Sequence, residues 1–341
     1  MANHRESGDN LTDSSRRGFL LTAGSAALAG LAGCVARGQS SDLTGEIVID
    51  GSNTVFPHTA AVAEEFQWQN NQVRIPIRGS GTGAGFQRFT IGETDLQNAS
   101  RPITDGERET AEANGIDFLE LEVVLDGLAL YANPQNDWCD TLTVEELNRI
   151  WGSDADATRW SDIDSDWPDE KIVLYGRDSH SGTFDYFTEK INGEAGDVKG
   201  DYNKTSDTNV IVRGVRGNEH ALGFGGAGYY YENEEDLKLI AVDDGNGGVI
   251  PTEETIGRAF EENPGDDAYT PLSRAMYVYV NVNELTRETV REFVKFFFHR
   301  EDPDGPAVTQ RVAPRVGSYA IPDSLVDREA ERLREAIEEV N

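Results

Sequence analysis

The stretch from Arg177 to Thr183 combines residue types that are suited to holding an anion. The sequence predicts a strand over residues 172–175 and a helix over residues 184–191, with the run Ser181-Gly182-Thr183 at the helix start. The first turn of a helix offers unpaired N–H groups and a partial positive charge, and the two hydroxyls and the Arg177 guanidinium add further donors. An oxyanion site is one interpretation. The other is an ordinary helix cap beside a surface arginine, because Ser and Thr are common at helix starts for structural reasons.

Three earlier segments also end a predicted strand in a loop of small or polar residues. The loops are Gly51-Ser52-Asn53-Thr54, the glycine-rich run Gly79-Ser80-Gly81-Thr82-Gly83-Ala84-Gly85, and Ala99-Ser100-Arg101-Pro102. Helix faces follow the first two loops, at residues 55–66 and from Phe86 onward. Open α/β sheets bind ligands beyond the carboxyl ends of their strands, so we expect the loops to converge in one cleft.

Two long extended segments divide the chain into two predicted lobes. Residues 118–131 alternate apolar and polar side chains almost without a break, and residues 271–280 form a second extended passage. We interpret them as the outward and return crossings between the lobes. The first lobe then comprises residues 44–125 and 273–341, and the second comprises residues 126–272, because the chain is too long for one core.

Strands alternate with helices throughout, which predicts an α/β fold with a mixed, mainly parallel sheet. A capping box of Thr143 and Glu146 predicts a helix at residues 143–150. The other elements are predicted as a strand at 210–212, a glycine-rich turn at 221–228, a strand at 237–242, and helices at 290–297 and from residue 324.

The charge balance excludes one broad class of partner. Acidic residues number 62 against 30 basic ones, for a net charge of −32 over 341 residues, and no single acidic tail accounts for the excess. A uniformly acidic surface opposes nucleic-acid binding through the phosphate backbone. The small number of lysines makes this composition resemble that of proteins from halophilic archaea, in which salt screens the repulsion. The alternative is merely an acidic soluble protein.

The N-terminus has the features of an export signal. The adjacent arginines Arg16 and Arg17 precede an apolar run that ends at Gly33, is short for a membrane span and resembles a twin-arginine signal peptide. The run Leu31-Ala32-Gly33-Cys34 resembles a lipobox, so we expect residues 1–33 to be removed, Cys34 to be lipidated and residues 34–43 to form a tether. The other cysteine, Cys139, then has no disulfide partner and is predicted to be a small core residue.

Four motifs together resemble the PstS family of phosphate-binding proteins of ABC transporters, over nearly all of residues 45–325. The motifs are Gly51-Ser52-Asn53-Thr54-Val55, then Gly79-Ser80-Gly81-Thr82-Gly83 with Ala99-Ser100-Arg101-Pro102, then Arg177-Asp178-Ser179-His180-Ser181-Gly182-Thr183, and Tyr269-Thr270-Pro271-Leu272-Ser273-Arg274. The resemblance implies a two-lobed fold of the periplasmic-binding-protein type (type II) with two hinge crossings. It also implies a protein without catalysis or cofactor that closes around inorganic phosphate and delivers it to a permease driven by a cytoplasmic ATPase.

The resemblance further implies roles for individual residues. The implied phosphate ligands are Ser52, Thr54, Ser80 and Gly81 from the first lobe, Ser100 and Arg101 beside them, and Arg177, Ser181, Gly182 and Thr183 from the second lobe. Asp178 would orient Arg177. The well-known bacterial members carry an aspartate after Ala-Ser that accepts the proton of hydrogen phosphate and rejects sulfate, whereas this chain has Arg101, which supplies no acceptor. For Arg274, a pairing role at the hinge or between the lobes is favoured over ligand contact.

Other interpretations of the same motifs stay open. The run Gly79-x-Gly81-x-x-Ala84 fits a loose dinucleotide fingerprint, but Arg101 lies near the distance at which an acidic ribose contact is expected. A secreted phosphatase-like hydrolase would use Ser181 or its neighbour Ser179 with His180, although no Gly-x-Ser-x-Gly elbow surrounds either serine. Another tetrahedral oxyanion, such as sulfate, molybdate or tungstate, would suit the same donors.

Histidines and acidic runs carry less specific signals. None of His58, His180 and His220 has a partner at metal-ligand spacing, so they are predicted to be solvated or capping residues. Acidic runs at residues 154–156 and 232–236 are typical of solvated surface, with a calcium site as the alternative.

The sequence therefore predicts an extracytoplasmic solute-binding protein that is anchored by lipid at Cys34 and captures phosphate for an ABC importer. We expect a monomer that contacts the membrane only through its anchor, holds no cofactor or metal and binds no nucleic acid.

Overall fold

The fold is built on a mixed β-sheet against which the helices pack. The computed structural model describes residues 43–179, 181–261 and 263–340, which lie in one compact unit. The strands are β1 (Gly45–Glu46), β2 (Ile49–Gly51), β3 (Val73–Arg74), β4 (Leu96–Ala99), β5 (Phe118–Ala132), β6 (Thr141–Thr143), β7 (Val173–Arg177), β8 (Asn203–Thr205), β9 (Ala221–Gly226), β10 (Lys238–Asp243), β11 (Gly248–Val249) and β12 (Ser273–Asn281). The helices are α1 (Phe56–Gln69), α2 (Thr82–Phe89), α3 (Asp105–Ala113), α4 (Val144–Trp151), α5 (Gly182–Asn192), α6 (Thr208–Arg216), α7 (Gly228–Tyr231), α8 (Glu253–Arg258), α9 (Glu288–Phe297), α10 (Val308–Val312) and α11 (Asp323–Val340).

Strand β5 joins two halves of the sheet. The strand order is β2-β4-β12-β5-β9-β7-β8, and β10 pairs with β5, β6 and β11. Residues 118–127 of β5 pair with β12, and residues 128–132 pair with β9. We call the strands up to the first part of β5 the first sheet half, and those from its second part onward the second sheet half. Parallel pairs join β2 to β4 and β7 to β8 and β9, whereas antiparallel pairing is concentrated on the long strands β5 and β12.

Most of the predicted elements are confirmed. The α/β class with a mixed sheet, both long extended segments and the helices α1, α5, α9 and α11 are present where the patterns indicated. The capping box also forms, because the Thr143 hydroxyl accepts from the Glu146 N–H and the Glu146 carboxylate accepts from the Thr143 N–H at 2.8 Å. The lobe boundaries at residues 125/126 and 272/273 stay a prediction.

Two predictions in the second sheet half are wrong, and both errors have the same cause. Residues 210–212 form part of helix α6 rather than a strand, and the expected turn at 221–228 contains strand β9. The buried residues of α6, among them Ile211 and Val215, have helical spacing that the run of β-branched residues conceals. A Cβ on Gly223 would lie 2.8 Å from Ile211 Cγ2 and 2.9 Å from Val215 Cγ2. The glycines of β9 therefore let α6 pack directly on the strand.

A small aromatic cluster supports helix α2 and the end of β4. The cluster consists of the buried residues Phe86, Phe89, Ala99, Ile103 and Tyr279. The rings of Phe86 and Tyr279 meet edge to face at 4.9 Å, and the Tyr279 hydroxyl accepts from the Ile103 N–H at 2.8 Å. This packing ties the residues after β4 to α2 and β12, so the two polar loops of the first sheet half have defined places.

Of the two cysteine predictions, the structure tests the one for Cys139, because the described residues begin at residue 43. Cys139 is a free, fully buried thiol, as predicted, and burial raises its pKa to about 12. Cys34 and the predicted signal peptide lie outside the described residues. In the described part of the chain, no helix is both long enough and apolar enough for a bilayer span.

His58 is buried rather than solvated, which corrects the expectation for this residue. Its ring is 0% exposed on α1, with Nε2 3.0 Å from the Thr309 carbonyl. Burial lowers the pKa of His58 from 6.5 to about 4, so the folded protein keeps a neutral imidazole where the unfolded chain takes up a proton. Because the unfolded state takes up this proton and the folded state does not, the free energy of unfolding falls as the pH falls from 6.5 to about 4.

We expect the free energy of unfolding to fall by about 3 kcal/mol through His58 as the pH is lowered from 6.5 to 4. The measurement is denaturant unfolding at several pH values for the wild type and for His58→Gln, which keeps an N–H donor for Thr309. The variant should lose this share of the pH dependence. Identical pH dependence in both proteins would contradict the prediction.

Candidate functional site

One large cavity brings together most of the predicted ligand residues. It has a volume of about 930 Å³ and lies where loops of the two sheet halves face each other. The predicted residues that line it are Ser52, Thr54, Gly81, Ser100, Arg101, Arg177, Ser181, Gly182 and Thr183. We call it the central cavity. The loops that follow the strands therefore converge on one cavity, as the sequence predicts. Contact of these residues with a ligand stays a prediction.

Helices α1, α2 and α5 begin at the central cavity. Thr54 and Pro57 line it at the start of α1, Thr82 at the start of α2, and Gly182 and Thr183 at the start of α5. Helix α2 begins four residues earlier than Phe86, where the sequence placed it, so the glycine-rich loop includes a helical turn. Each helix start contributes unpaired N–H groups and the positive end of its dipole, which favours an anion between them.

Ser181 caps a helix and also lines the central cavity, so its contact with an oxyanion stays a prediction. It is the N-cap of α5, because its hydroxyl oxygen accepts from the Thr183 N–H at 3.2 Å. It also lines the central cavity, next to Gly182. A Cβ on Gly182 would lie 3.1 Å from the Ser100 hydroxyl, so the α5 start and the end of β4 approach each other closely. The helix cap thus orders a turn that faces the other sheet half.

Arg177 places a guanidinium with available donors in the cavity. Its Nη1 donates to the Thr208 hydroxyl at 2.6 Å, and its Nε is buried without a hydrogen-bond partner among the described residues. Thr208 starts α6 and also lines the cavity, a contact that no local motif indicated. A buried guanidinium nitrogen without a partner is costly, so the hydrogen bonding of Arg177 is incomplete in this conformation. The role of Asp178 in orienting Arg177 stays a prediction.

Ser80 has a different neighbour from the one its predicted role requires. It is not among the residues that line the cavity, and its hydroxyl donates to Asp50 Oδ1 at 2.6 Å. Arg88 pairs with the same carboxylate through Oδ2 at 2.5 Å. Burial alone would raise the pKa of Asp50, but the hydrogen bonds from Ser80, Gly51 and Arg88 lower it. Ser80 therefore anchors the loop before α2, and its contact with a ligand stays a prediction.

Arg101 lines the cavity in an ion pair. Its two terminal nitrogens donate to the two carboxylate oxygens of Glu107 at 2.8 and 2.9 Å, and its guanidinium lies 5.6 Å from the centre of the Phe86 ring. The hydrogen bonds to Glu107 raise the pKa of Arg101. Glu107 is the N3 residue of the α3 capping box, so the pair also ties Arg101 to a helix start.

Arg274 and Asp126 form a largely buried pair on β12 and β5, beside the junction of the two sheet halves. The Arg274 guanidinium is 7% exposed, donates to Asp126 Oδ2 through Nε and Nη2 at 3.1 and 2.9 Å, and lies 4.8 Å from the centre of the Tyr186 ring. Its Nη1 donates to the Gly182 carbonyl at 2.9 Å and to the Ser100 carbonyl at 3.4 Å. These contacts are of the pairing kind that the sequence favoured for Arg274.

Carboxylates balance the cations around the cavity. Asp126, Asp185, Glu189 and Glu232 line it together with arginines 101, 177, 274 and 315. Burial raises the pKa of Asp185, although the charges of Arg274 and Arg101 oppose the shift. Within the described residues no group of three histidine, cysteine or acidic side chains is placed to hold a metal ion.

Comparisons with known proteins give relatives along most of the chain. Residues 36–301 match the family model of the PBP superfamily domain. The chain is 38% identical over 299 residues to Protein SphX of Synechocystis sp., covering 87% of this chain and 83% of the relative. It is 36% identical over 275 residues to the phosphate-binding protein PstS of Staphylococcus saprophyticus, covering 80% and 82%. The crystal structure of a possible phosphate binding protein from Planctomyces limnophilus is similar at a TM-score of 0.69 and 40% identity, covering 86% of this chain and 99% of that one.

Proposed function

This chain belongs to the PBP superfamily, among the PstS-like phosphate-binding proteins, and from that premise we propose that it captures inorganic phosphate outside the cytoplasm for an ABC importer. The observation that carries the proposal is the convergence of three helix starts and the Arg177 guanidinium on one cavity. Backbone N–H groups, hydroxyls and a guanidinium together match the acceptor oxygens of a tetrahedral oxyanion.

We propose that the two sheet halves close around the ligand. The two halves already approach each other at Gly182 and Ser100, and a cavity of about 930 Å³ is far larger than one phosphate ion, so a further approach would bring more donors onto the ligand. The crossings at β5 and β12 are the segments that connect the halves, with Arg274 and Asp126 on them. A ligand that joins donors from both halves stabilises the closed state by the difference in its affinity for the two states.

Calorimetric titration tests the proposed ligand. The protein, dialysed free of phosphate in concentrated KCl, should bind phosphate with one site per chain and with higher affinity than sulfate, molybdate or tungstate. Tighter binding of another oxyanion would replace phosphate as the ligand, and no binding of phosphate would refute the proposal.

We propose that the protein binds its ligand without catalysis, and the hydrogen bond between Ser181 and Thr183 supports this proposal. The Ser181 oxygen accepts from the Thr183 N–H, which is the geometry of a helix cap. A phosphatase-like hydrolase would instead turn over a chromogenic phosphate ester and lose that turnover in Ser181→Ala.

Export and anchoring complete the proposal. We propose that the twin-arginine signal directs export and that lipid on Cys34 holds a monomer at the outer membrane surface, where it meets the permease subunits of the importer. Mass spectrometry of the membrane-derived protein, with Cys34→Ala as control, would detect the lipid or show its absence.

A further inference from the structure

Thr208 is a buried residue of the central cavity that belongs to none of the loops singled out by the sequence. It is the first residue of α6, is 3% exposed and lines the cavity. The start of α6 differs from the other helix starts at the cavity, because the carboxylate of its N-cap, Asp207, accepts from the Asn209 N–H at 2.9 Å. That carboxylate already occupies the positive end of the helix dipole and repels a second anion. Helix α6 therefore contributes the Thr208 side chain to the cavity rather than an anion site of its own.

Packing on β9 fixes the direction of the Thr208 side chain. A Cβ on Gly225 would lie 3.0 Å from Thr208 Cγ2, so the methyl group of the threonine lies directly over this glycine. Threonine has few χ1 rotamers, and fixing its methyl group fixes its hydroxyl group as well. The hydroxyl oxygen accepts from Arg177 Nη1 at 2.6 Å. The packing of α6 on the glycines of β9 thus sets the position of an acceptor for Arg177.

The backbone of Arg177 is fixed independently of Thr208. Arg177 pairs with Thr205 of β8, and its carbonyl accepts from the Tyr202 hydroxyl at 3.0 Å. These contacts leave the guanidinium at the end of several rotatable bonds, whose freedom is lost when the side chain binds a ligand. The hydrogen bond to Thr208 removes part of this freedom beforehand. It engages Nη1, and Nε keeps no partner among the described residues, so donors of the guanidinium are left over.

We propose that the Thr208 hydroxyl is a positioning group that holds the Arg177 guanidinium in the orientation in which it binds the oxyanion. The proposal rests on the phosphate function proposed above and adds to it a residue from outside the loops that follow the strands. A guanidinium that is ordered in advance binds more tightly, because less conformational entropy is lost on binding. The role requires the hydroxyl group and not the methyl group, which separates it from the packing of α6 on β9.

Two comparisons that each change only the hydroxyl group test the proposal. Thr208→Val keeps a methyl group over β9 and is compared with the wild type, and Thr208→Ala is compared with Thr208→Ser. Calorimetric titration of the intact protein with phosphate should show an affinity about 10-fold lower for the member of each pair that lacks the hydroxyl.

Thr90→Val is the matched control for these variants. Thr90 is also buried, at 2% exposed, but its hydroxyl donates to the Phe86 carbonyl and it does not line the central cavity. Its replacement removes a buried threonine hydroxyl in the same way and should leave the affinity within about twofold of the wild type, because distant sites act independently.

A double-mutant cycle with Arg177 distinguishes positioning from other roles. In the Arg177→Met protein, the further change Thr208→Val should alter the affinity by less than about twofold, because no guanidinium is left to position. A threonine that only packs α6, or that contacts the ligand itself, would lower the affinity by the same factor in both backgrounds.

Two results would overturn the proposal. One is equal affinity within the pairs, and the other is an equal effect of Thr208→Val with and without Arg177. If Thr208→Val does not fold, the comparison of Thr208→Ser with Thr208→Ala decides. If the wild type binds another oxyanion more tightly than phosphate, the same comparisons are made with that anion, and only the ligand assignment changes. A wild type that binds no oxyanion would refute the phosphate function and this role of Thr208 with it.

Discussion

Replacement of Arg177 with glutamine should weaken phosphate binding by on the order of 100-fold to 1000-fold. The guanidinium keeps a buried Nε without a partner among the described residues, and its Nη1 bond at 2.6 Å ties it to Thr208, another residue that lines the cavity. Glutamine removes both the charge and the forked donor geometry, and hydrogen bonds to charged groups are the strong ones. Calorimetric titration of phosphate in the wild type and Arg177→Gln measures the loss.

Arg213→Gln is the matched control for this experiment. Arg213 lies on α6, the helix that Arg177 contacts through Thr208, but it is exposed and does not line the central cavity. Its replacement removes the same unit of charge and should leave the affinity within about threefold of the wild type, because an exposed charge is screened by salt. Equal losses in the two variants would show that only overall charge matters, and would remove Arg177 from the proposed site.

Replacement of Gly51 with alanine should lower the free energy of unfolding by about 4 kcal/mol and the melting temperature by about 10 °C. Gly51 ends β2 with φ at 126°, and a Cβ there would lie 2.1 Å from the Asn98 carbonyl oxygen. The neighbouring strand β4 is hydrogen-bonded to β2, so that oxygen is not free to move. Alanine would therefore separate the two strands whose ends present Ser52 and Ser100 to the cavity. Phosphate affinity should fall together with stability.

Gly257→Ala tests whether the effect depends on position. Gly257 lies in α8, and a Cβ there would meet nothing within 4 Å. Alanine at such a helix position should be neutral or stabilise the protein by up to about 1 kcal/mol. Thermal unfolding followed by circular dichroism compares the two variants. A melting temperature of Gly51→Ala within about 2 °C of the wild type would contradict the argument.

Elements with strong local signals could be predicted from the sequence. The capping box at Thr143, the apolar face of α5 and the long alternation that became β5 each depend on residues close together in the chain. The prediction failed for α6 and β9, because the pattern of each segment can be interpreted correctly only when the position of the other is known. The glycines of β9 indicate a turn until α6 is placed on them, and the β-branched run of α6 indicates a strand until its buried face is known.

The candidate site could likewise be predicted only in part. The small-residue loops after predicted strands led to the cavity, and Thr82 was within one of them. Asp126 and Thr208 were missed. The one signal for Asp126 is a lone acidic residue within the apolar extended segment. Thr208 follows Asp207, the N-cap of α6, two residues before the run 210–212 that the sequence predicts as a strand. Neither signal specifies a partner.

The sequence by itself determined that donor-bearing loops end the strands, that Ser181 begins a helix and that a guanidinium stands beside it, because these features rest on neighbours within one or two turns. Only the tertiary structure decided which donors face the cavity. In the tertiary structure the Ser80 hydroxyl donates to Asp50, Arg101 pairs with Glu107, and Arg274 pairs with Asp126, from which it is separated by 148 residues of sequence. Such pairings depend on how strands order themselves in the sheet, and no local spacing encodes that order. The stretch that begins at Arg177 supplies the donors, and the distant Asp126–Arg274 pair stands opposite them.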